Sequence, residues 1–346
     1  MRAIGVNEWG GPGALEVVEL PEPHAGPGQV RIRVHAAAVN PTDTGLRNGS
    51  RAERQRKDPP PYVPGMDAAG VVDELGEGAG GGLAVGDAVM AIVVPDGTHG
   101  AYSEYVVVPA GSVVRAPSGA DHVHAATLPM NGLTARRAVD LLDPAPGSTI
   151  AVTGAAGAFG GYVVQLAAAA GLRVVADASE ADEALVKELG ADLVVRRGEG
   201  VADRIRAVVP EGVDVLADGS VQGDELLGAV RDGGRIATVR GYEGPAERGI
   251  SWYPVWVRDI AQDRERLDSL RVLAESGAVT LRVAQTYPAE RAPEAHARLE
   301  AGGTRGRLVL TFGAETSGAE TSGAESSGAE TSGAESSGAE SFGGQS

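Results

Sequence analysis

The chain has 346 residues, 42% hydrophobic and 22% charged, with a net charge of −17. That length suits about two domains of ordinary size, and the composition is that of a folded globular protein rather than a disordered or fibrous one. An acidic surface repels nucleic acid and anionic membranes, and a chain without cysteine has no disulfide, thiolate nucleophile or Cys-ligated zinc.

Six of the glutamates lie from Gly313 onward, and the remainder is still acidic. The first residues, Met1 to Glu8, carry no apolar h-region, and no apolar run reaches the length of a membrane span. A cytoplasmic protein is expected, with no nucleic-acid or membrane partner.

To about Pro117 the chain reads as short strands punctuated by turns. Residues 30–34 alternate as Val-Arg-Ile-Arg-Val after a Gly26-Pro27-Gly28 turn, the pattern of a half-buried strand. Further strands are expected at 71–74, 89–94 and 105–108, with a glycine-rich stretch at 76–86. Several short strands at this spacing predict a compact β-barrel-like domain. Residues 51–61, basic and then proline-rich, predict an exposed loop.

The texture changes near Ala125. Residues 125–142 read as a helix, followed by strand 149–153, helix 159–170, strand 173–176, helix 181–189 and strand 192–195. Segments 203–209, 213–217, 224–231 and 235–239 continue the alternation, which predicts a doubly wound parallel sheet. A helix at 263–276 and a strand at 307–311 follow, the latter expected to return to the first domain. From Gly313 the chain repeats Gly-Ala-Glu-Thr/Ser-Ser with period five, ending in a variant copy through Phe342. This tail, 313–346, lacks the apolar bulk to offset the entropy of ordering, so disorder is expected.

The strongest local signal is Ile150-Ala-Val-Thr-Gly154-Ala-Ala-Gly157-Ala-Phe-Gly160-Gly-Tyr. A buried strand runs through small residues directly into a helix. Gly157 lets backbone approach a diphosphate whose charge the helix N-terminus stabilises, and Gly160 allows close helix–strand packing. Ala155 stands where the usual G-x-G-x-x-G has its first glycine. Asp177, 20 residues past Gly157, is placed to bind a ribose 2′-hydroxyl and to disfavour a 2′-phosphate, whereas Arg196 and Arg197 can pair with one.

Several separated segments resemble the medium-chain dehydrogenase/reductase superfamily, in its zinc-independent quinone oxidoreductase-like branch. They are Val39-Asn40-Pro41-Thr42-Asp43, Pro64-Gly65-Met66-Asp67-Ala68-Ala69-Gly70, Val85-Gly86-Asp87, Gly100-Ala-Tyr-Ser-Glu104-Tyr105, Gly132-Leu-Thr134, the Gly157 loop, Asp232-Gly-Gly-Arg235 and Gly306-Arg-Leu-Val. The resemblance implies a Rossmann dinucleotide-binding domain at 125–251 and a GroES-like catalytic domain from 1–124 and 252–312. Zinc-dependent relatives place Cys at the position of Asn40 and Gly-His-Glu where Gly65-Met66-Asp67 stands, so no metal is expected here.

The same resemblance implies NADPH as cofactor. Ala156, Gly157, Ala158, Phe159 and Gly160 are then expected at the diphosphate, and Thr134, Val239 and Gly241 near the nicotinamide. Ser179 and Arg197 match positions near the adenosine ribose and its phosphate. Asp177 and Asp182 stand where relatives often have Thr and a phosphate-binding Lys, which leaves NADH open. Gly45 stands where a cofactor-contacting Tyr is common.

A quinone or enone accepts hydride without a metal because the resulting anion is delocalised and hydrogen bonds stabilise it. Asn40 is the expected polar group beside the nicotinamide, or a cap for the turn at Pro41, with Asp43 organising that loop. Tyr62, His99 and Tyr253 are candidate proton donors. His122 and His124 lack a third ligand for a metal. Trp252 and Trp256, four apart, suit one helix face and an acceptor pocket, a subunit interface or buried core. The expected activity is NAD(P)H-dependent reduction of a quinone or α,β-unsaturated carbonyl by a homodimer or homotetramer. The alternatives are a catalytically silent nucleotide-binding protein and an enoyl-type reductase of a biosynthetic pathway.

Overall fold

A computed structural model describes residues 1–52 and 57–313. Residues 314–346 of the expected disordered tail and 53–56 of the expected loop at 51–61 lie outside the described residues. The chain opens with an antiparallel pair, β1 (Arg2–Gly5) and β2 (Glu16–Glu19). The next strand, β3 (Gln29–Ala38), alternates Val30, Ile32 and Val34 inward with Arg33 outward. That alternation makes β3 the spine of a seven-stranded sheet with β4 (Asp67–Leu75), β5 (Ala88–Ile92), β6 (Tyr105–Pro109) and β7 (Val113–Arg115). Gly70 of β4 has no room for a side chain, since a Cβ there would collide with the Arg33 carbonyl where β3 and β4 shift register.

The second sheet is parallel. Its strands are β8 (Thr149–Thr153), β9 (Arg173–Ala178), β10 (Leu193–Arg196), β11 (Val213–Asp218), β12 (Val230–Thr238) and β13 (Ser251–Pro254), in the order β10-β9-β8-β11-β12-β13. The strand order reverses between β8 and β11, the switch point where such sheets open a crevice at their carboxyl ends. The chain then returns to the first sheet through β14 (Val283–Pro288) and β15 (Arg307–Thr311), with β15 antiparallel to β3.

The structure corrects three expectations. β13 is the sixth strand of the parallel sheet, so that sheet runs to Pro254, past the boundary expected at 251. Trp252 lies in that strand and Trp256 beyond its end, so they share no helix face. The segment 224–231, expected as a helix, is a 3₁₀ turn at Gly223–Ala229 running straight into β12. Among the described residues the helices Pro41–Arg47, His122–Ala125 and Ala292–Glu300 went unread because each is short, the first and last carrying in their first turn a proline that reads as a turn.

His122 and His124 are not brought together. His124 bonds Asp121, and the His122 ring stacks on His35 with centroids 4.7 Å apart. Burial, and then the neighbouring positive groups, push both stacked imidazoles below the ordinary histidine value; for His122 the charge of Asp121 opposes the shift. Unfolded imidazoles take up protons near pH 6.5 while the folded pair resists. Their contribution to stability is therefore complete above that pH and lost as the pH falls through the folded values. His122→Gln is expected to gain stability relative to the wild type between pH 7.5 and 5.5. Urea midpoints that stay a constant distance apart across that range would contradict this.

Candidate functional site

The dinucleotide loop forms where β8 ends. Gly154 turns with φ +66°, and Gly157 N–H donates to its carbonyl at 2.9 Å. Gly157 is the N-cap of the helix Ala158–Ala169, which has neither a side-chain cap nor an acidic residue in its first turn. The first amides of this helix therefore lack side-chain partners and carry the positive end of its dipole, a ready site for an anion. Gly160 has a packing role, because a Cβ there would collide with the Gly154 carbonyl. The Phe159 ring packs over Gly219.

A cleft of about 240 Å³ opens beside this loop. Of the expected cofactor residues, Ala156, Gly157, Asp177, Ser179 and Arg197 line it. Ala158, Phe159 and Gly160 belong to the adjoining helix start. Sequence reasoning missed Ser220 and the three residues Gly303, Thr304 and Arg305, which also line the cleft.

The Asp177 carboxyl is buried at the end of β9. Its Oδ1 accepts from Ala155 N–H at 3.1 Å, while Oδ2 is buried without a partner. Burial raises its pKa above the ordinary carboxylate value, opposed by loop amides and by Arg197. Asp182 is clamped by Arg305, with Nη2 2.6 Å from Oδ2, and accepts from Ser179 Oγ at 2.5 Å; the Arg305 bond holds it below the ordinary value. The Arg197 side chain makes no hydrogen bond or ion pair among the described residues, although its charge reaches both carboxylates.

Thr134, Val239 and Gly241 do not line this cleft. Thr134 sits on the helix Pro129–Leu142, which packs on β12, and its hydroxyl bonds Met130 O at 2.6 Å. Val239 directly follows β12. Gly241, at φ +75°, leaves room for the Trp256 ring.

Asn40 is fully buried, and both ends of its amide are occupied. Nδ2 donates to Asp67 Oδ2 at 2.8 Å, and Oδ1 accepts from Arg307 Nη2 at 2.7 Å and Asn131 Nδ2 at 3.0 Å. The group expected beside the nicotinamide therefore has its hydrogen-bonding capacity taken up by protein atoms. Asn40 is also the N-cap residue of the helix at Pro41, where the Asp43 carboxylate accepts from Asn40 N–H at 2.8 Å in a capping box. Asp67 pairs with Arg307 at 3.1 Å and accepts from Met130 N–H at 2.6 Å, meeting an orphan amide at the start of the Pro129–Leu142 helix. Asn40 and Asp67, at positions where the resemblance gives its zinc-dependent members other residues, here bond one another.

Asp43 also receives Gly65 N–H at 3.1 Å and Tyr102 O–H at 3.3 Å, and burial raises it to about 7. Tyr102 Oη lies 3.1 Å from His296 Nε2, and Arg47 Nη1 lies 3.3 Å from His296 Nδ1. A guanidinium only donates, so His296 carries its proton on Nε2 and the chain runs Arg47, His296, Tyr102, Asp43. Burial pushes His296 down to about 3, which keeps it neutral.

The expected proton donors are engaged elsewhere. Tyr62 is buried, stacks on Trp9 and donates to Asp58 O at 2.9 Å. His99 sets its ring nitrogens 2.8 Å from Val107 O and 3.2 Å from Val94 O. Both are packing and turn residues here, a correction to their expected role. Tyr253 is half-buried in β13.

A nucleotide crevice at the switch point of a parallel sheet, joined to a mostly antiparallel sheet built from both chain ends, defines a two-domain dehydrogenase. Residues 26–118 match the alcohol dehydrogenase GroES-like domain and residues 189–310 the zinc-binding dehydrogenase family. The chain is 31% identical to a quinone oxidoreductase of Lama guanicoe, covering 90% of this chain and 97% of that one. An NAD-dependent alcohol dehydrogenase superposes with a TM-score of 0.80 at 32% identity, covering 90% and 100% of the two chains. A mycobacterial protein complexed with NADPH does so at 0.77 and 30% identity, with the same coverage. The chain belongs to the medium-chain dehydrogenase/reductase superfamily, as a quinone oxidoreductase-like protein, and is an oxidoreductase of a small-molecule substrate. Among the described residues no helix is long and apolar enough to cross a membrane.

Proposed function

We propose that this protein reduces a quinone or an α,β-unsaturated carbonyl with a nicotinamide dinucleotide and without a metal ion, and that NADH serves it better than NADPH. The observation that carries the cofactor reading is the partnerless, buried Oδ2 of Asp177, a residue that lines the cleft beside an uncapped helix start. When bound, the reduced nicotinamide supplies the hydride. The loop from Ala156 to Gly160 holds the diphosphate through its amides other than the Gly157 N–H, which donates to Gly154, and Thr134, Val239 and Gly241 flank the nicotinamide, as the resemblance implies. Asn40 acts by fixing Asp67 and Arg307, not by touching the acceptor.

The cofactor preference follows from hydrogen-bond chemistry. A ribose hydroxyl donates to an unmet carboxylate oxygen, whereas a 2′-phosphate brings only acceptors and more negative charge. Arg305 is committed to Asp182, so a phosphate would meet Arg197 alone against two carboxylates. This favours the NADH alternative over the NADPH that the family resemblance implied. Asp177→Asn keeps an acceptor for Ala155 N–H but turns the second oxygen into a donor. It is expected to weaken NADH about tenfold, about 1.4 kcal/mol, while leaving NADPH affinity equal or higher. An unchanged ratio of the two affinities would remove Asp177 from the account.

Activity is tested with purified protein, reduced dinucleotide and a panel of quinones and enals, following loss of dihydronicotinamide absorbance. Turnover on at least one class is expected. Tight dinucleotide binding with no turnover on any acceptor would favour the catalytically silent reading instead.

A further inference from the structure

Side chains from the segments leading into β14 and β15 cross onto the dinucleotide domain. Thr280 donates its N–H and hydroxyl to Gln165 Oε1 at 2.8 and 3.0 Å, and Arg305 clamps Asp182. Arg282 makes a different contact. Its guanidinium donates from Nη2 to Gly157 O at 2.7 Å and from Nη1 to Ala156 O at 3.2 Å, and no carboxylate pairs with it among the described residues. Half-buried and facing carbonyls, this arginine has a charge that no carboxylate pairs among the described residues.

Two details show that the contact is built into the chain. A Cβ on Gly161 would collide with Arg282 Nη2, so the second glycine of the Gly160-Gly161 pair makes room for the guanidinium, just as Gly160 makes room for the Gly154 turn. The Arg282 carbonyl accepts from Arg307 N–H at 2.8 Å, and Gly306, at φ +113°, admits that close approach. The backbone carrying Arg282 is thus tied to the residue whose side chain grips Asp67 and Asn40.

The peptide bond is planar and trans, so its N–H points opposite to its C=O. The Gly157 carbonyl accepts from both Gly161 N–H, at 3.0 Å, and Arg282, so the Ala158 N–H of the same peptide points the other way, out of the helix start. We propose that Arg282 is a positioning residue for the cofactor diphosphate. It holds the carbonyls of Ala156 and Gly157 so that the following amide faces the anion, and it sets an uncompensated positive charge behind that amide. This rests on the dinucleotide reading of the cleft and extends it to a residue supplied by the other domain.

The test compares binding of NADH, ADP-ribose and adenosine to wild type, Arg282→Met, Arg282→Lys and Gly161→Ala. Calorimetry serves for the first two ligands and competition for adenosine. Arg282→Met is expected to weaken NADH and ADP-ribose between about tenfold and about a hundredfold, the range for hydrogen bonds and charge acting on an ionised group, with adenosine within about twofold. The loss shrinks at high salt, and Arg282→Lys, which keeps the charge but not the paired donors, recovers part of it. Gly161→Ala weakens the diphosphate ligands in the wild type, and adds little to Arg282→Met because both changes remove the same contact.

Equal binding of NADH and ADP-ribose by wild type and Arg282→Met would overturn the inference while leaving the dinucleotide reading intact. So would an equal loss for adenosine, which would mark a merely structural arginine. Should Arg282→Met not fold, Arg282→Lys and Gly161→Ala carry the same comparison. A wild type that binds neither NADH nor ADP-ribose would sink the dinucleotide reading, and this inference with it.

Discussion

Replacing Arg307 by Met is expected to cost about 3–5 kcal/mol of folding stability, the largest effect of any single change considered. Asp67 is completely buried and Arg307 nearly so. Removing the guanidinium strands the carboxylate and leaves Asn40 Oδ1 with Asn131 alone. Burial already raises the Asp67 pKa, and the Arg307 charge is the largest influence opposing it, so the variant must either bury an unpaired charge or hold a proton. The double variant Asp67→Asn, Arg307→Met removes both charges and is expected to recover much of the loss. Urea unfolding of the two variants and the wild type decides this. A loss below about 1 kcal/mol for Arg307→Met, the scale of an exposed pair, would show that the network is not what joins these elements.

Gly157→Val is expected to abolish most dinucleotide affinity, about a hundredfold or about 2.8 kcal/mol, while barely changing stability. The backbone at Gly157 is extended, with φ −73° and ψ 179°, and a Cβ there meets only the Gly154 carbonyl, at 3.1 Å. The valine would therefore stand in the cleft proposed for the cofactor, and the Gly154 carbonyl need give by only about a few tenths of an ångström. Gly160→Ala is the converse, since its Cβ drives into backbone and the loss falls on stability. Calorimetric affinity and thermal midpoint, measured on both variants, separate the two roles. A Gly157→Val protein that folds and binds the cofactor undiminished would show that the loop does not hold the diphosphate.

Much of the fold could be read from the sequence because its signals are local. The period-two alternation of 30–34 marks β3, and the small-residue turn into an apolar helix marks β8 and the cofactor loop. The sequence order also placed Asp177 beside that loop. What escaped are pairings between distant parts of the chain. Arg307 and Asp67 are separated by 240 positions, and Arg282 and Gly157 by 125. Nothing in the flanking residues of either partner announces the other.

Asn40, Tyr62 and His99 were singled out because each can donate or accept. The fold assigns each of those groups to another protein atom, and hydrogen-bonding capacity says nothing about which partner wins. Trp252 and Trp256 show the same limit for periodicity, since a spacing of four means a shared face only if the backbone is helical. Gly161 had a signal in plain view. A second glycine inside a helix interior lowers helix propensity, and such a glycine usually answers to something that must come close.

The most direct test of the whole account is calorimetric titration of the wild-type protein with NADH and with NADPH. One saturable site per chain is expected for NADH, with affinity near the micromolar range, about −8 kcal/mol, and weaker binding of NADPH. Folded protein that gives no binding signal with either dinucleotide would contradict it.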